Sequence, residues 1–525
     1  MTREVRPEDV KAWLSDGGEI AFFDVREAGE FGQGHPFFAI PVPYSVFETR
    51  ISDLAPNRGV RMVLMDGGDG VAHLVAKRAV ACGYGDVAVM TGGAPAWGEA
   101  GYTLYEGVNL PSKTFGEILE IERHTPRKSA EEAAAMSRDG TDHVIVDGRP
   151  YAEYEKFNIP GGVCCPNGEL ALRIGEIAPD PNTTIVVNCA GRTRSILGAQ
   201  TLIDFGVPNP VYALENGTQG WFLAGMQPEK GADRRYPEAP TDAAKRAALR
   251  EKSRRRAEAT GVKFISANDV QALWDDTKHT TYVFDVRTEE EYDPDRVVGV
   301  RHAPGGQLVQ ATDQWVGVKC ARIELVDDDR VRAPMVANWL YQLGHDVAVL
   351  EGGIDALEGK RFMPPAMRLP PEPIVISPRG LLGMMHGDGV NLIDLRSSEA
   401  YRAGHIDSAV WSIRPRLDRL AIDDSKPTVF IGDAMTAALA AERLNELGHD
   451  DARRLEGDVD AWRRAGHKIV ETPDDPPDSE RIDFLFHTYR RQNDAEHARQ
   501  YLSWETGLVD QLDDQERESF RIAAA

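Results

Sequence analysis

One cysteine stands where the sequence predicts reactive chemistry. Cys189 lies in the segment Asn-Cys-Ala-Gly-Arg-Thr-Arg-Ser at 188–195, after an apolar, β-branched run at 184–187 and at the start of a helical pattern at 195–205. A loop between a strand and a helix N-terminus offers backbone N–H donors and the positive end of the helix dipole, which favour a thiolate. We therefore predict that Cys189 is a nucleophile rather than a buried, inert cysteine.

The residues that follow Cys189 predict a loop that binds an anion. The predicted binding residues are Ala190, Gly191, Arg192, Thr193, Arg194 and Ser195. Their N–H groups are expected to surround the sulfur, and the two arginines to bind two oxygens of an anionic group. The hydroxyl of Ser195 is placed equally well to donate a hydrogen bond or to cap the helix.

Four repeated segments decide the architecture that positions this loop. A strand ending in Asp-x-Arg recurs at 22–26, 144–149, 283–287 and 392–396, and each copy is followed by a helix that ends in a glycine turn and by a second strand that ends in glycine. Tryptophan follows that glycine in three copies, at Trp97, Trp221 and Trp462. Alternating strands and helices predict parallel βαβ units, with ligands at the carboxyl ends of the strands, where Cys189 falls.

The repeats also predict the domain boundaries. We expect an α/β chain of four tandem domains, each a mainly parallel sheet flanked by helices, with a basic helical linker and a helical C-terminal tail. The apolar and aromatic residues of 481–520 have helical spacing, which predicts a helical pair in the tail. The predicted segments are 1–110, 111–235, the linker 236–262, 263–370, 371–475 and the tail 476–525.

Length, charge and cysteine content narrow the classes of protein. A chain of 525 residues fits three or four domains, and a net charge of −24 disfavours nucleic acid as a general partner. No apolar run approaches the roughly 18 residues of a membrane span, and the N-terminus lacks the apolar core of a signal peptide. Five cysteines without zinc-ligand spacing predict no disulfide framework, no metal and no cofactor, and a reducing, cytoplasmic setting.

The repeated pattern resembles the rhodanese homology domain, four times over about nine tenths of the chain, and is similar to multidomain bacterial sulfurtransferases. The resemblance rests on Asp-x-Arg, on the Gly-His-Ile segment at 404–406, on the loop 189–195 and on the closing tryptophan. It implies that Cys189 accepts a sulfane sulfur from thiosulfate or a related persulfide donor, forming a persulfide. That sulfur then passes to a thiophilic acceptor such as cyanide or a thiol.

Alignment of the repeats predicts that three of the four units lack the nucleophile. The offset from Asp147 to Cys189 reaches Asp66 in the first unit and Asp327 in the third, and in the fourth it falls near Gly432 or Asp433. A carboxylate cannot carry a persulfide and repels an anionic donor. We therefore expect units one, three and four to be catalytically inactive.

Several residues of unit two have two interpretations. Arg149, from Asp-x-Arg, either faces substrate or forms a structural ion pair, and its recurrence in the inactive units favours the ion pair. Arg173 is a weaker candidate for the pocket. Cys164 and Cys165 are either a sulfur relay or core residues, with core packing favoured.

Two other functions compete with sulfur transfer. A phosphatase or arsenate reductase of the same fold carries Cys-x5-Arg, one residue longer than the Cys-x4-Arg from Cys189 to Arg194. A binding or scaffold protein for sulfur-metabolism partners would use the inactive units for docking. The expected partners are a small-molecule sulfur donor and a thiophilic acceptor, with a protein sulfur donor or acceptor and a homodimer left open.

Overall fold

The computed structural model describes residues 2–486 and 494–523. Four domains follow one another along the chain, and each contains a five-stranded sheet. All neighbouring strands in these four sheets run parallel. The strand order is the same in each domain. Counted along the chain within each sheet, the strands lie in the order first, fifth, fourth, second, third, so the first and third strands form the two edges. The predicted four-domain α/β fold is confirmed.

The first two domains share one sequence of elements. The first domain consists of β1 (Arg3–Val5), α1 (Pro7–Trp13), β2 (Ala21–Asp24), α2 (Ala28–Phe31), β3 (Ile40–Pro41), α3 (Phe47–Leu54), β4 (Met62–Met65), α4 (Val71–Ala81), β5 (Val87–Met90) and α5 (Gly93–Glu99), and α6 (Leu110–Arg123) follows it. The second consists of β6 (Arg127–Lys128), α7 (Ala130–Arg138), β7 (His143–Asp147), α8 (Tyr151–Lys156), β8 (Val163–Cys164), α9 (Leu170–Ile177), β9 (Thr184–Asn188), α10 (Thr193–Phe205), β10 (Val211–Leu214) and α11 (Gly217–Leu223).

The last two domains repeat the pattern after a connecting helix, α12 (Ala243–Thr260). The third consists of β11 (Lys263–Ile265), α13 (Ala267–Trp274), β12 (Thr281–Asp285), α14 (Glu289–Tyr292), β13 (Arg301–His302), α15 (Gly305–Gln310), β14 (Arg322–Val326), α16 (Arg332–Gln342) and β15 (Asp346–Leu350). The fourth consists of β16 (Ile374–Ile376), α17 (Pro378–His386), β17 (Asn391–Asp394), α18 (Ser398–Ala403), β18 (His405–Ile406), β19 (Val410–Trp411), β20 (Thr428–Ile431), α19 (Ala434–Glu446), β21 (Ala452–Leu455), α20 (Asp458–Arg464) and β22 (Ile469–Val470), with β18 and β22 forming a small antiparallel pair.

The central strands are buried because helices cover both faces of each sheet. Ile185, Val186 and Val187 of β9 are fully buried, and the side chains on opposite faces belong to two different core clusters. A run of β-branched residues suits this position, since parallel strands are buried on both faces. These strands therefore form a rigid base for the loops at their carboxyl ends.

The strand register shows which residues are equivalent in the four domains. Asp24 lies opposite Met65, Asp147 opposite Asn188, Asp285 opposite Val326, and Asp394 opposite Ile431. The residue after each of these partners is accordingly Asp66, Cys189, Asp327 and Gly432. Gly432, rather than Asp433, is the counterpart of Cys189 in the fourth domain, and Asp433 caps α19 instead.

The second and third domains pack together through equivalent segments. Gly168 and Gly306 meet backbone to backbone: a Cβ built on Gly168 would lie 2.8 Å from the Gly306 nitrogen, and one on Gly306 would lie 3.0 Å from the Gly168 nitrogen. The indole of Trp339 donates to the Thr201 hydroxyl at 2.8 Å nearby. Side chains larger than hydrogen have no room at the two glycines.

The C-terminal tail is helical over α21 (Ala495–Thr506) and the short α22 (Asp514–Arg517). The predicted first helix of the tail falls partly on residues 487–493, outside the described residues, and Phe484 lies in irregular structure. No helix in the described part of the chain is long and apolar enough to cross a lipid bilayer.

Candidate functional site at the Cys189 loop

Cys189 lies where β9 ends and α10 begins, at the carboxyl edge of the second sheet. Only 3% of its surface is exposed. The start of α11 holds the loop from one side, since the N–H of Thr218 donates to the Cys189 carbonyl at 2.8 Å and that of Gln219 to the Ala190 carbonyl at 3.1 Å. A Cβ on Gly217 would lie 2.3 Å from the Cys189 carbonyl oxygen, so only glycine permits this approach.

The equivalent loop of the third domain shows what the backbone presents at this position. The Asp327 carboxylate accepts hydrogen bonds from the N–H groups of Val331, Arg332 and Ala333, at 2.9 to 3.0 Å. In the first domain Asp66 accepts in the same way from Gly68 and Ala72. The backbone of this fold therefore directs several N–H donors toward the position that Cys189 occupies in the second domain.

Ser195 contacts the thiol directly. Its hydroxyl donates to Cys189 Sγ at 3.1 Å, and both side chains are buried. Arg192, not Ser195, occupies the N-cap position of α10. Of the two interpretations of Ser195, the structure favours the hydrogen-bond donor.

Arg194 lies close enough to Cys189 for their charges to interact. Its guanidinium binds the Glu153 carboxylate of α8 through two hydrogen bonds, at 2.8 and 2.9 Å. Burial opposes its charge, but the bonds to Glu153 and the negative charges of Glu153 and Cys189 raise the pKa of Arg194. Arg194 is thus a fixed cation beside the thiol.

Arg192 is directed away toward α6. Its three guanidinium nitrogens bind Glu117 at 2.7 and 2.8 Å, Glu120, and Asn216 at 3.1 Å. Its role as a second substrate-binding arginine stays a prediction. In this structure it fastens the loop to α6 and to the turn before α11.

Arg149 forms the structural ion pair that its recurrence favoured. Its side chain is fully buried, binds Asp147 through two bonds at 2.7 and 2.8 Å, and donates to the Phe157 carbonyl. The same pair with a carbonyl bond eight residues further on recurs at Arg26, Arg287 and Arg396. These arginines hold the loop after the second strand in every domain.

Arg173 lies at the contact between the second and third domains. It binds Glu169 at 3.2 Å and Glu291 of the third domain at 3.1 Å. Both carboxylates are also bound by Arg332, the counterpart of Arg194 in the third domain. The structure therefore places Arg173 in a network that joins two domains, not in the loop of Cys189.

Cys164 and Cys165 are both buried. Burial raises the pKa of Cys164 to about 12 and raises that of Cys165 well above the usual range. Cys165 belongs to the core cluster of the second domain, and Cys164 to a smaller cluster with Tyr154. These environments favour core packing over sulfur relay.

The C-terminal helix supplies residues to the loop that the sequence did not suggest. Thr193 donates its hydroxyl to the Glu505 carboxylate at 2.9 Å, and Gly191 lies against Glu505 and Tyr501. Glu505 follows the loop by more than 300 positions, and no spacing pattern links the two segments. A contact of this kind is visible only in the folded chain.

Comparison with known proteins agrees with this geometry. The family model of the Rhodanese-like domain matches residues 6–100, 129–224, 266–360 and 377–465. The crystal structure of a thiosulfate sulfurtransferase from Pseudomonas aeruginosa has a TM-score of 0.91 and 39% sequence identity, over 99% of this chain and 100% of that chain. This chain belongs to the rhodanese-like family, and its match to that structure supports sulfurtransferase activity.

A curated relative shares a shorter part of the sequence. An HTH-type transcriptional regulator of Mycobacterium tuberculosis is 33% identical over 95 residues, which are 18% of this chain. The match spans 41% of the regulator, so the chain covers about two fifths of that relative's length.

Proposed function

We propose that the protein transfers sulfane sulfur from thiosulfate, or a related persulfide donor, to a thiophilic acceptor through a persulfide on Cys189. The observation that carries the proposal is the position of this thiol. The Cys189 thiol occupies the place where the equivalent loop of the third domain holds the Asp327 side chain with backbone N–H donors. The Ser195 hydroxyl donates a hydrogen bond to this thiol. The similarity to the thiosulfate sulfurtransferase of P. aeruginosa supports the same activity.

The first half-reaction forms the persulfide. The Cys189 thiolate attacks the outer, sulfane sulfur of thiosulfate, and a new S–S bond forms at Sγ. The S–S bond of thiosulfate breaks, and sulfite leaves with its electron pair. Charge balances, since a thiolate and a dianion give a persulfide anion and a dianion. The N–H groups of the loop and the cation of Arg194 stabilise the anionic sulfur.

The second half-reaction returns the enzyme to its thiolate form. An acceptor such as cyanide attacks the terminal sulfur, the S–S bond to Sγ breaks, and Cys189 keeps the electron pair while thiocyanate leaves. A thiol acceptor gives a new persulfide, and its proton ends on the product. Splitting the transfer into two displacements gives ping-pong kinetics.

In the other three domains the equivalent position carries Asp66, Asp327 or Gly432, none of which can accept sulfur. We propose that these domains are inactive and that the third supports the second. Arg332, which is the counterpart of Arg194 in the third domain, binds Glu169 of the second domain at 3.0 Å.

Steady-state thiocyanate formation from thiosulfate and cyanide tests the proposal. We expect turnover with parallel double-reciprocal lines, loss of turnover in Cys189→Ser, and retention in the control Cys320→Ser, which removes an exposed thiol. An aryl phosphate should not be hydrolysed. Turnover that survives in Cys189→Ser, or phosphate release that depends on Cys189, would refute the proposal.

A further inference from the structure

Helix α21 of the tail lies directly on the Cys189 loop. It packs between α6 and α11, the two helices that flank the loop. At Gly191 a Cβ would lie 3.1 Å from Glu505 Oε2 and 3.4 Å from Tyr501 Cε1. One side of the loop is therefore covered by a segment outside the four rhodanese-like domains.

Glu505 is the charged residue at this contact, and its side chain is almost completely buried. Its Oε1 accepts the Thr193 hydroxyl at 2.9 Å and lies 3.5 Å from the Lys113 ammonium of α6. Lys113 also binds the Tyr501 hydroxyl. The Glu505 side chain is thus held against the loop by partners on two other elements.

The second oxygen of Glu505 faces the loop without a partner. Oε2 is buried and accepts no hydrogen bond from any residue in the described ranges. A buried carboxylate oxygen without a donor is costly, so a group that brings an N–H or S–H gains a hydrogen bond here. An anion that approaches the loop is repelled instead.

We propose that Glu505 is a specificity-determining residue, which makes the Cys189 site select neutral or hydrogen-bond-donating sulfur substrates, such as thiols and their persulfides, over multiply charged anions. The sulfur chemistry in this inference rests on the proposed function. The charge that Glu505 brings to the loop does not, because it acts on any reagent that reaches the thiol. Thiosulfate remains a donor, but with a lower kcat/KM than the loop would otherwise allow.

Alkylation of Cys189 by a charged and an uncharged reagent measures this selection without any turnover. Iodoacetate is an anion and iodoacetamide is neutral, and mass spectrometry of the Cys189 peptide gives each rate. In Glu505→Gln we expect the ratio of the iodoacetate rate to the iodoacetamide rate to rise about threefold to tenfold, since one nearby negative charge is removed. The matched control is Glu496→Gln on the same helix, where the side chain is 71% exposed and the ratio should not change.

A second variant should change the ratio of the two alkylation rates in the opposite direction. Lys113→Met removes the cation that partly offsets Glu505, so the same ratio should fall. If Glu505→Gln does not fold by circular dichroism, Lys113→Met alone decides. A ratio that stays at the wild-type value in the folded variants would overturn the inference, even if sulfur transfer itself is confirmed. A shifted ratio supports it even if thiosulfate is not turned over.

Discussion

Ser195 Oγ lies 3.1 Å from Cys189 Sγ and donates a hydrogen bond to it from within the first turn of α10. The hydroxyl is a side-chain donor to the sulfur, at a position where the equivalent loop of the third domain uses backbone N–H donors. A donor in this place stabilises negative charge on sulfur, both in the resting thiolate and in the persulfide.

Ser195→Ala tests this contact. Loss of a hydrogen bond to a charged group should lower both the alkylation rate of Cys189 and the rate of thiocyanate formation by about tenfold. The control Ser137→Ala removes a hydroxyl of α7 in the same domain that bonds Ala133 and His143, not the thiol. Equal rates in Ser195→Ala and wild type would show that the hydroxyl is not used.

The other cysteines should differ sharply in reactivity. Burial raises the pKa of Cys82, Cys164 and Cys165, so their thiols stay protonated at neutral pH. We expect iodoacetamide at pH 7.5 to modify Cys189 and the exposed Cys320 while these three remain unmodified. Peptide mass spectrometry over time gives the order, and early modification of Cys164 or Cys165 would instead favour a sulfur relay.

The repeats and the loop were predictable because they follow local rules. A buried strand, a short loop and a helix N-terminus are all encoded within 184–205, and a constant offset from Asp-x-Arg identified Asp66 and Asp327. The direction of the arginines was not predictable, since it depends on carboxylates elsewhere in the chain. Glu117 binds Arg192 from 75 positions away, and Glu153 binds Arg194 from 41. The coverage of Gly191 by Glu505 depends on the docking of the tail, which leaves no periodic signal in the sequence.

The glycine contact between the second and third domains predicts a stability effect. Gly168→Ala places a methyl group 2.8 Å from the Gly306 backbone nitrogen, so the domains must separate slightly. We expect a loss of about 1–3 kcal/mol, seen as a lower Tm in calorimetry.

Gly175→Ala is the matched control. Gly175 lies in α9 of the same domain, and a Cβ there meets nothing within 4 Å. Alanine favours a helix interior over glycine by roughly 1 kcal/mol, so the Tm should rise. A Tm that falls equally in both variants would show that the contact between Gly168 and Gly306 is not tight.

Glu324 predicts a pH dependence of stability. It lies in β14 of the third domain, where burial and the nearby charge of Asp346 raise its pKa to about 8, against a partial offset by Arg322. The folded chain therefore keeps a proton that the unfolded chain loses above about pH 4.3. The contribution of this proton to the free energy of unfolding is fully present below that pH. It decreases by a few kcal/mol in all as the pH rises toward 8.

Glu324→Gln removes this titration. The variant should match wild type in Tm near pH 4 and exceed it at pH 8.5. The control Glu251→Gln, at an exposed side chain of α12, should follow wild type at both pH values. A Glu324→Gln curve parallel to the wild-type curve would contradict the raised pKa.

The central claim is that Cys189 carries the sulfur. Purified protein is incubated with thiosulfate under non-reducing conditions, and the peptide that contains Cys189 is weighed before and after cyanide is added. The account predicts that this peptide gains the mass of one sulfur atom with thiosulfate and loses it with cyanide, while the Cys320 peptide stays unchanged. An unmodified Cys189 peptide in protein that is turning over thiosulfate, or the added sulfur on another cysteine, would contradict it.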